Sequence, residues 1–267
     1  MPAVEAKHIR NTRSKPDGQV DNIRSITLSD VFAALKKGAS DFWERPSHYI
    51  FLVIIYPVVG FILAVWTAGG ETFSLLYPIA TGFALVGPIA GIGLYEISRR
   101  REQGLDDHPV YAFMVLRSPA IGAILALGLV LAIIFGLWLF AANSIYVFFF
   151  GENGPTNLPD LLAAVFTTSE GWGLLIWGNL VGLVFAFVVL ATTVVAFPRL
   201  LDHGGSAADA VALSVRAVTH NLVPMLAWGL IVAVLLFIGS LPLFVGLAIV
   251  LPILGHATWH LYRAVVE

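Results

Sequence analysis

Residues 222–260 read LVPMLAWGLIVAVLLFIGSLPLFVGLAIVLPILGHATWH. A hydrocarbon core ~30 Å thick needs roughly 20 apolar helical residues to cross it, and this run is about twice that length. It is therefore one tight hairpin, broken only at Gly239, Ser240 and Pro242. The two halves are a span at Leu222–Gly239 and a span from Leu241 to about His260.

Working back from this hairpin, four more apolar runs have spanning length: Tyr49–Thr67, Phe73–Ile97, Ser118–Ala141 and Trp172–Phe197. Composition agrees. The 267 residues are 58% hydrophobic and 12% charged, with a mean hydropathy of +0.86. A soluble domain carries ~25% charged residues, so too little charge is present to coat a globule. Disorder needs low hydrophobicity and is excluded for the chain as a whole. A net charge of −2 gives no sign of a nucleic-acid partner. The absence of cysteine removes disulfides, thiolate metal sites and cysteine nucleophiles. The fold expected is an all-α polytopic membrane bundle of six transmembrane helices.

Met1–Asp30 is polar and lacks an apolar h-region, so it is not read as a signal peptide. Residues 1–24 read as a disordered cytosolic tail, and residues 25–267 as the membrane domain. The basic residues set the orientation. All 15 lie in the N-terminal arm, in the loops after the second and fourth spans, or at the C-terminus. The three intervening loops hold only Glu71, Glu152, Asp160 and Glu170. An even number of spans then puts both termini on the basic, cytoplasmic side of an inner membrane.

The ends of spans two and six are alike. Pro88, Gly91, Tyr95 and Arg99 recur as Pro252, Gly255, Trp259 and Arg263 at one constant offset. Thr27-Leu-Ser-Asp30 and Ser206-Ala-Ala-Asp209 each fit a capping box ahead of an amphipathic stretch. Asp107-His108-Pro109 starts a shorter one. The chain thus reads as three related hairpins, each preceded by a cytoplasmic amphipathic helix. In the first of these, Leu28, Val31, Phe32, Leu35, Ala39 and Phe42 share a face. Lys36, Lys37 and Asp41 fall elsewhere, which suits a helix lying in the inner interface with Trp43 at headgroup depth.

The long outer loop, about Asn143–Gly171, contains Leu158, Leu161, Leu162, Val165 and Phe166 at helical spacing, predicting a short helix on the outer interface. Rows of small residues at Gly87/Gly91, Gly128/Ala132/Gly136 and Gly178/Gly182/Ala186 suit close helix packing within the chain or between copies.

Chemistry in a membrane leaves ionisable residues at depth, because otherwise they are too costly to keep. The central thirds of the six runs contain none. Asn179 is the most polar residue near a span interior, and an interhelical hydrogen bond is its expected role. His256 and His260 are four apart on one helical face, a spacing that allows two imidazoles to reach one metal. Glu96 aligns with His260 under the repeat, so Glu96, His256 and His260 form a candidate metal or haem site. The plainer alternative is a polar collar with Glu96 paired to Arg99 or Arg263. No catalytic residues and no required cofactor are expected.

The runs Gly91–Glu102 (with Tyr95, Glu96 and Arg99), Phe197-Pro198-Arg199-Leu-Leu-Asp202, and Gly255–Arg263 (with His256, Trp259 and His260) resemble the bacterial family of predicted integral membrane proteins called domain of unknown function 2189. The resemblance runs from about Asp30 to the C-terminus. The family has no established activity, and some members are labelled as a cytochrome c oxidase subunit. A haem-copper catalytic subunit needs histidine ligands deep in the bilayer, and this sequence has none there. The resemblance therefore implies at most an accessory or assembly role beside such an oxidase. The leading expectation is a non-catalytic inner-membrane protein that acts through protein contacts. Alternatives are a transporter or channel for a small solute, and the metal or haem site above.

Overall fold

The computed structural model describes residues 22–44, 75, 78–79, 87–151, 154–155, 157–242 and 244–266. The expected span Tyr49–Thr67, most of the first half of the next, and nearly all of the N-terminal tail lie outside the described residues. The helices are α1 (Leu28–Glu44), α2 (Gly87–Glu102), a 3-10 segment (Pro109–Arg117), α3 (Ile121–Phe150), α4 (Leu158–Thr167), α5 (Ser169–Thr193), α6 (Ala196–His203), α7 (Ala207–His220), α8 (Leu222–Ser240) and α9 (Leu247–Val265). No strand occurs among the described residues, only one antiparallel bridge between Ile23 and Val266.

Three stretches are long and apolar enough to cross a membrane: α3, α5 continued into α6, and α8. They leave bulky apolar side chains uncovered, including Leu129, Ile133 and Phe140 on α3, Leu183 and Val184 on α5, and Leu230 and Phe237 on α8. A soluble protein rarely leaves so much contiguous apolar surface open; helices facing lipid do so throughout. The expected sixth span, α9, has the length but not the apolarity, because its second half carries His256, His260 and Arg263. It is instead largely buried, from Pro252 through Tyr262.

Several boundaries differ from expectation, each for a local reason. α3 runs on to Phe150, beyond Ala141, because Tyr146–Phe150 continue the helix rather than opening the loop. The outer loop therefore shortens, and α4 forms on the stripe at Leu158–Phe166, capped by Asn157 Oδ1 accepting from the Asp160 amide at 2.9 Å. The fourth span is interrupted at Val194–Val195. Pro198 has no N–H, so it could not bond Val194 in an unbroken helix, and it sits instead in the first turn of α6, where none is needed. The Val195 amide is satisfied by Ser214 Oγ of α7 at 3.2 Å. The last hairpin turns over residues 241–246 rather than at its glycine and serine. There Gly239 and Gly246 meet backbone to backbone: a Cβ on Gly246 would lie 2.7 Å from the Gly239 carbonyl oxygen.

α1 lies along α9. The contact is close because Gly38 has no side chain; a Cβ there would sit 2.5 Å from the Ala257 amide nitrogen. The buried face is Val31, Ala34, Gly38, Asp41 and Phe42, rotated from the predicted stripe, while Leu28 and Phe32 are exposed. Asp41, read as a solvent-side residue, is inside. Of the small-residue rows, Gly136 and Gly178 meet nothing within 4 Å, and only Gly128 and Gly182 abut a neighbouring helix, at Ile89 and Trp138.

Both expected capping boxes form. Asp30 Oδ2 accepts from the Thr27 amide at 2.8 Å, and Ser206 Oγ accepts from the Asp209 amide at 3.1 Å. The three amphipathic segments then pack in a consistent pattern. The 3-10 segment lies on α2, α7 lies on α5, and α1 lies on α9. Each rests on the closing helix of the preceding hairpin, and α1, having none before it, rests on the last. The ends of α2, α6 and α9 meet one another at the centre of this arrangement.

Candidate polar junction at the charged end

The charged ends of α2, α6 and α9, with α1 against them, form a continuous polar junction. Its apolar support comes from Phe197, Leu200, Leu213, Ala217, Trp259 and Tyr262, all nearly or fully buried.

On the α1 side, His260 Nε2 lies 2.8 Å from Asp41 Oδ2. Arg101 Nη1 reaches Asp41 Oδ1 at 3.2 Å and donates to the Asp41 backbone carbonyl at 3.0 Å. Arg101 Nε donates to Asp107 Oδ2 at 2.9 Å. Burial alone would raise the Asp41 pKa; the hydrogen bond from His260 and the charges of His256, His260 and Arg101 outweigh it and hold the carboxyl below its ordinary value. Deeper on α9, fully buried His256 places Nδ1 2.6 Å from Ser98 Oγ.

On the α6 side, Glu102 accepts from Trp259 Nε1 at 2.9 Å and from Arg263 Nε at 3.0 Å. Asp202 accepts from the Tyr262 hydroxyl at 3.0 Å and from Arg263 Nη1 at 3.4 Å. His203 Nδ1 also contacts the Tyr262 oxygen, at 3.1 Å. A phenol has one proton. With that proton given to Asp202, the His203 contact requires an N–H at Nδ1. Burial opposes the charge on Arg263, yet Glu102 and Asp202 overcome it and raise its pKa.

Glu96, Arg99 and Arg100 form a separate pairing. Arg99 grips Glu96 with two parallel bonds, Nε to Oε2 at 2.7 Å and Nη2 to Oε1 at 2.8 Å, the strong fork geometry. Arg100 stacks over Tyr111 at 4.0 Å. Arg199 of α6 donates to the Gly204 carbonyl.

The predicted site residues thus gather at one end of the molecule, but not as one constellation. Glu96 faces Arg99, while His256 and His260 engage Ser98 and Asp41. Among the described residues no three His, Asp or Glu side chains converge in a way that could hold a metal ion. Asn179 Nδ2 donates to the Leu175 carbonyl of its own helix at 2.7 Å, and Thr192 and Thr193 likewise turn back on Val188 and Val189.

Sequence reasoning missed Asp41, Ser98, Arg101, Glu102 and Asp107 as members of the junction. It also missed Asn221, which accepts from the Ile26 amide at 2.8 Å and donates to the Arg24 carbonyl at 3.0 Å, tying the start of the chain to the α7–α8 corner. The available signal was the spacing of Gly38 and Asp41 beside Val31 and Ala34, a face with room for a partner helix.

Residues 76–202 match the family model described as "Predicted integral membrane protein (DUF2189)". The motif runs at Gly91–Glu102 and Phe197–Asp202 lie inside the matched segment, whereas the run at Gly255–Arg263 lies beyond it. No curated protein and no solved structure was found to match the chain.

Proposed function

We propose that this integral membrane protein, similar over residues 76–202 to the DUF2189 family, is a six-span, three-hairpin scaffold of the bacterial inner membrane that works through protein contacts. Both termini lie on the cytoplasmic side. Catalysis is not part of this role; an accessory or assembly task in a membrane complex, a respiratory oxidase among the candidates, fits it best.

One observation carries the reading. The described charged side chains of the membrane-embedded half are spent on holding helices together at one end, through Asp41, Glu102 and Asp202, rather than on lining a chamber at depth. Parity supports the span count. Ile23 pairs with Val266, so the chain starts and finishes on one face and the crossings between must be even. The docking of each amphipathic segment on the hairpin before it, with α1 closing the circle on α9, supports the three related units. Transport has less support, since Asn179, Thr192 and Thr193 bond within their own helix.

The test is affinity purification of the full chain at native abundance from native membranes in mild detergent. Recovery in stoichiometric company with another membrane protein is expected. Recovery only as a lone monomer would overturn the reading.

A further inference from the structure

Between α1, α2 and α9 a cleft of about 390 Å³ opens at the charged end, within the ~300–1,000 Å³ range of small-molecule sites. Three cationic side chains border it, one from each helix: Lys37, Arg101 and Arg263. Two carboxylates border it as well, Asp41 and Glu102, but both are already engaged. Asp41 holds His260 and Arg101, and Glu102 holds Trp259 and Arg263. Neither is spare for a metal cation.

The donors are not used up. Arg101 commits Nε and Nη1 to Asp107 and Asp41, while its Nη2 is buried with no hydrogen-bond partner among the described residues. A buried guanidinium nitrogen without an acceptor is costly. Lys37 is exposed at the rim and makes no ion pair among the described residues. With three cations against two carboxylates, and histidine neutral, the lining keeps one positive charge. A ligand that supplies several acceptor oxygens and negative charge would complete it. Phosphate does both, and guanidinium forks match its geometry.

We propose that this cleft binds a phosphate group, with Lys37, Arg101 and Arg263 as its donors. The group is carried either as a lipid headgroup, for which the cleft lies at a suitable depth beside the last turns of α2 and α9, or on a small water-soluble phosphate monoester. This site is independent of the scaffold role above.

The experiment is calorimetric titration of the full-length protein in detergent. The probes are glycerol 3-phosphate and short-chain phosphatidic acid, each against the parent chain, Lys37→Ala and Lys36→Ala. Lys36 is the exposed neighbour that does not border the cleft, so it controls for general charge. Saturable binding that weakens about tenfold in Lys37→Ala, as expected for a lost charge-assisted bond, and stays unchanged in Lys36→Ala supports the proposal. Binding of both probes indicates a soluble phosphate, and binding of the lipid alone indicates a headgroup. No saturable binding of either probe, or equal weakening by both substitutions, overturns it.

Discussion

His260 of the last helix and Asp41 of the first are joined at 2.8 Å, across almost the full length of the chain. This contact, with Arg101 on the other carboxylate oxygen, fixes α1 where α9 changes from apolar to polar. Removing the carboxylate leaves Arg101 short of an acceptor in a largely buried position. Breaking one partner of a buried pair costs ~3–5 kcal/mol; the Asp41 side chain keeps 13% exposure, so Asp41→Ala should cost about 2–3 kcal/mol. Thermal unfolding in detergent should show a clear drop in Tm. An unchanged Tm would mean that the contact does not hold α1.

Acid should loosen the same contact. The folded-state pKa of Asp41 is lowered from 3.8. A depressed carboxyl contributes stability that is complete above its unfolded value and is lost as pH falls through its folded value. Hydrogen exchange of residues 31–42 should therefore stay slow from neutral pH down to about 4 and accelerate below it. In Asp41→Asn this acid step should be much smaller. A step of equal size in both chains would place its origin elsewhere.

Gly38 sets the distance between α1 and α9. Alanine in a helix interior ordinarily gains ~1 kcal/mol over glycine. Here the added Cβ would meet backbone atoms of Ala257 and Ile253 at 2.5–2.6 Å, and backbone cannot step aside as a flexible side chain can. Overpacking of this kind costs ~1–3 kcal/mol, so Gly38→Ala should lower Tm despite its helix propensity. Gly136→Ala, where nothing lies within 4 Å, should leave Tm unchanged or raise it. The reverse order would contradict the close approach.

The apolar runs were legible because lipid demands about twenty apolar residues whatever surrounds them. α8 starts where expected and ends within a residue of it. The caps at Thr27 and Ser206 were legible because their partners lie only three residues away. The junction was not. Asp41, Arg101 and Asp107 are ordinary surface residue types, and their burial depends on partners from α9 and α2 that local periodicity cannot name. The break before Pro198 was half legible: the missing N–H is a local fact, but the rescue of Val195 by Ser214 is a long-range one.

Sidedness can be read directly, since the chain has no cysteine of its own. In right-side-out vesicles, an impermeant thiol reagent should label Asn157→Cys, at the start of α4. It should reach Ser206→Cys, at the start of α7, only after the membrane is opened. Labelling of both from one side would refute the topology, whatever the role of the protein.

Closure of the circle by α1 on α9 is the claim on which the three-hairpin arrangement rests, and the Ile23–Val266 bridge reports on it directly. Residues paired in an antiparallel bridge have Cα atoms about 4.5–5.5 Å apart, within the ~4.4–6.8 Å reach of a disulfide. Mild oxidation of the Ile23→Cys, Val266→Cys chain in native membranes should give near-complete intramolecular cross-linking, seen as a faster-migrating monomer that reverts on reduction. Two cysteines that stay separately reactive after oxidation would contradict closure, and with it the even number of crossings.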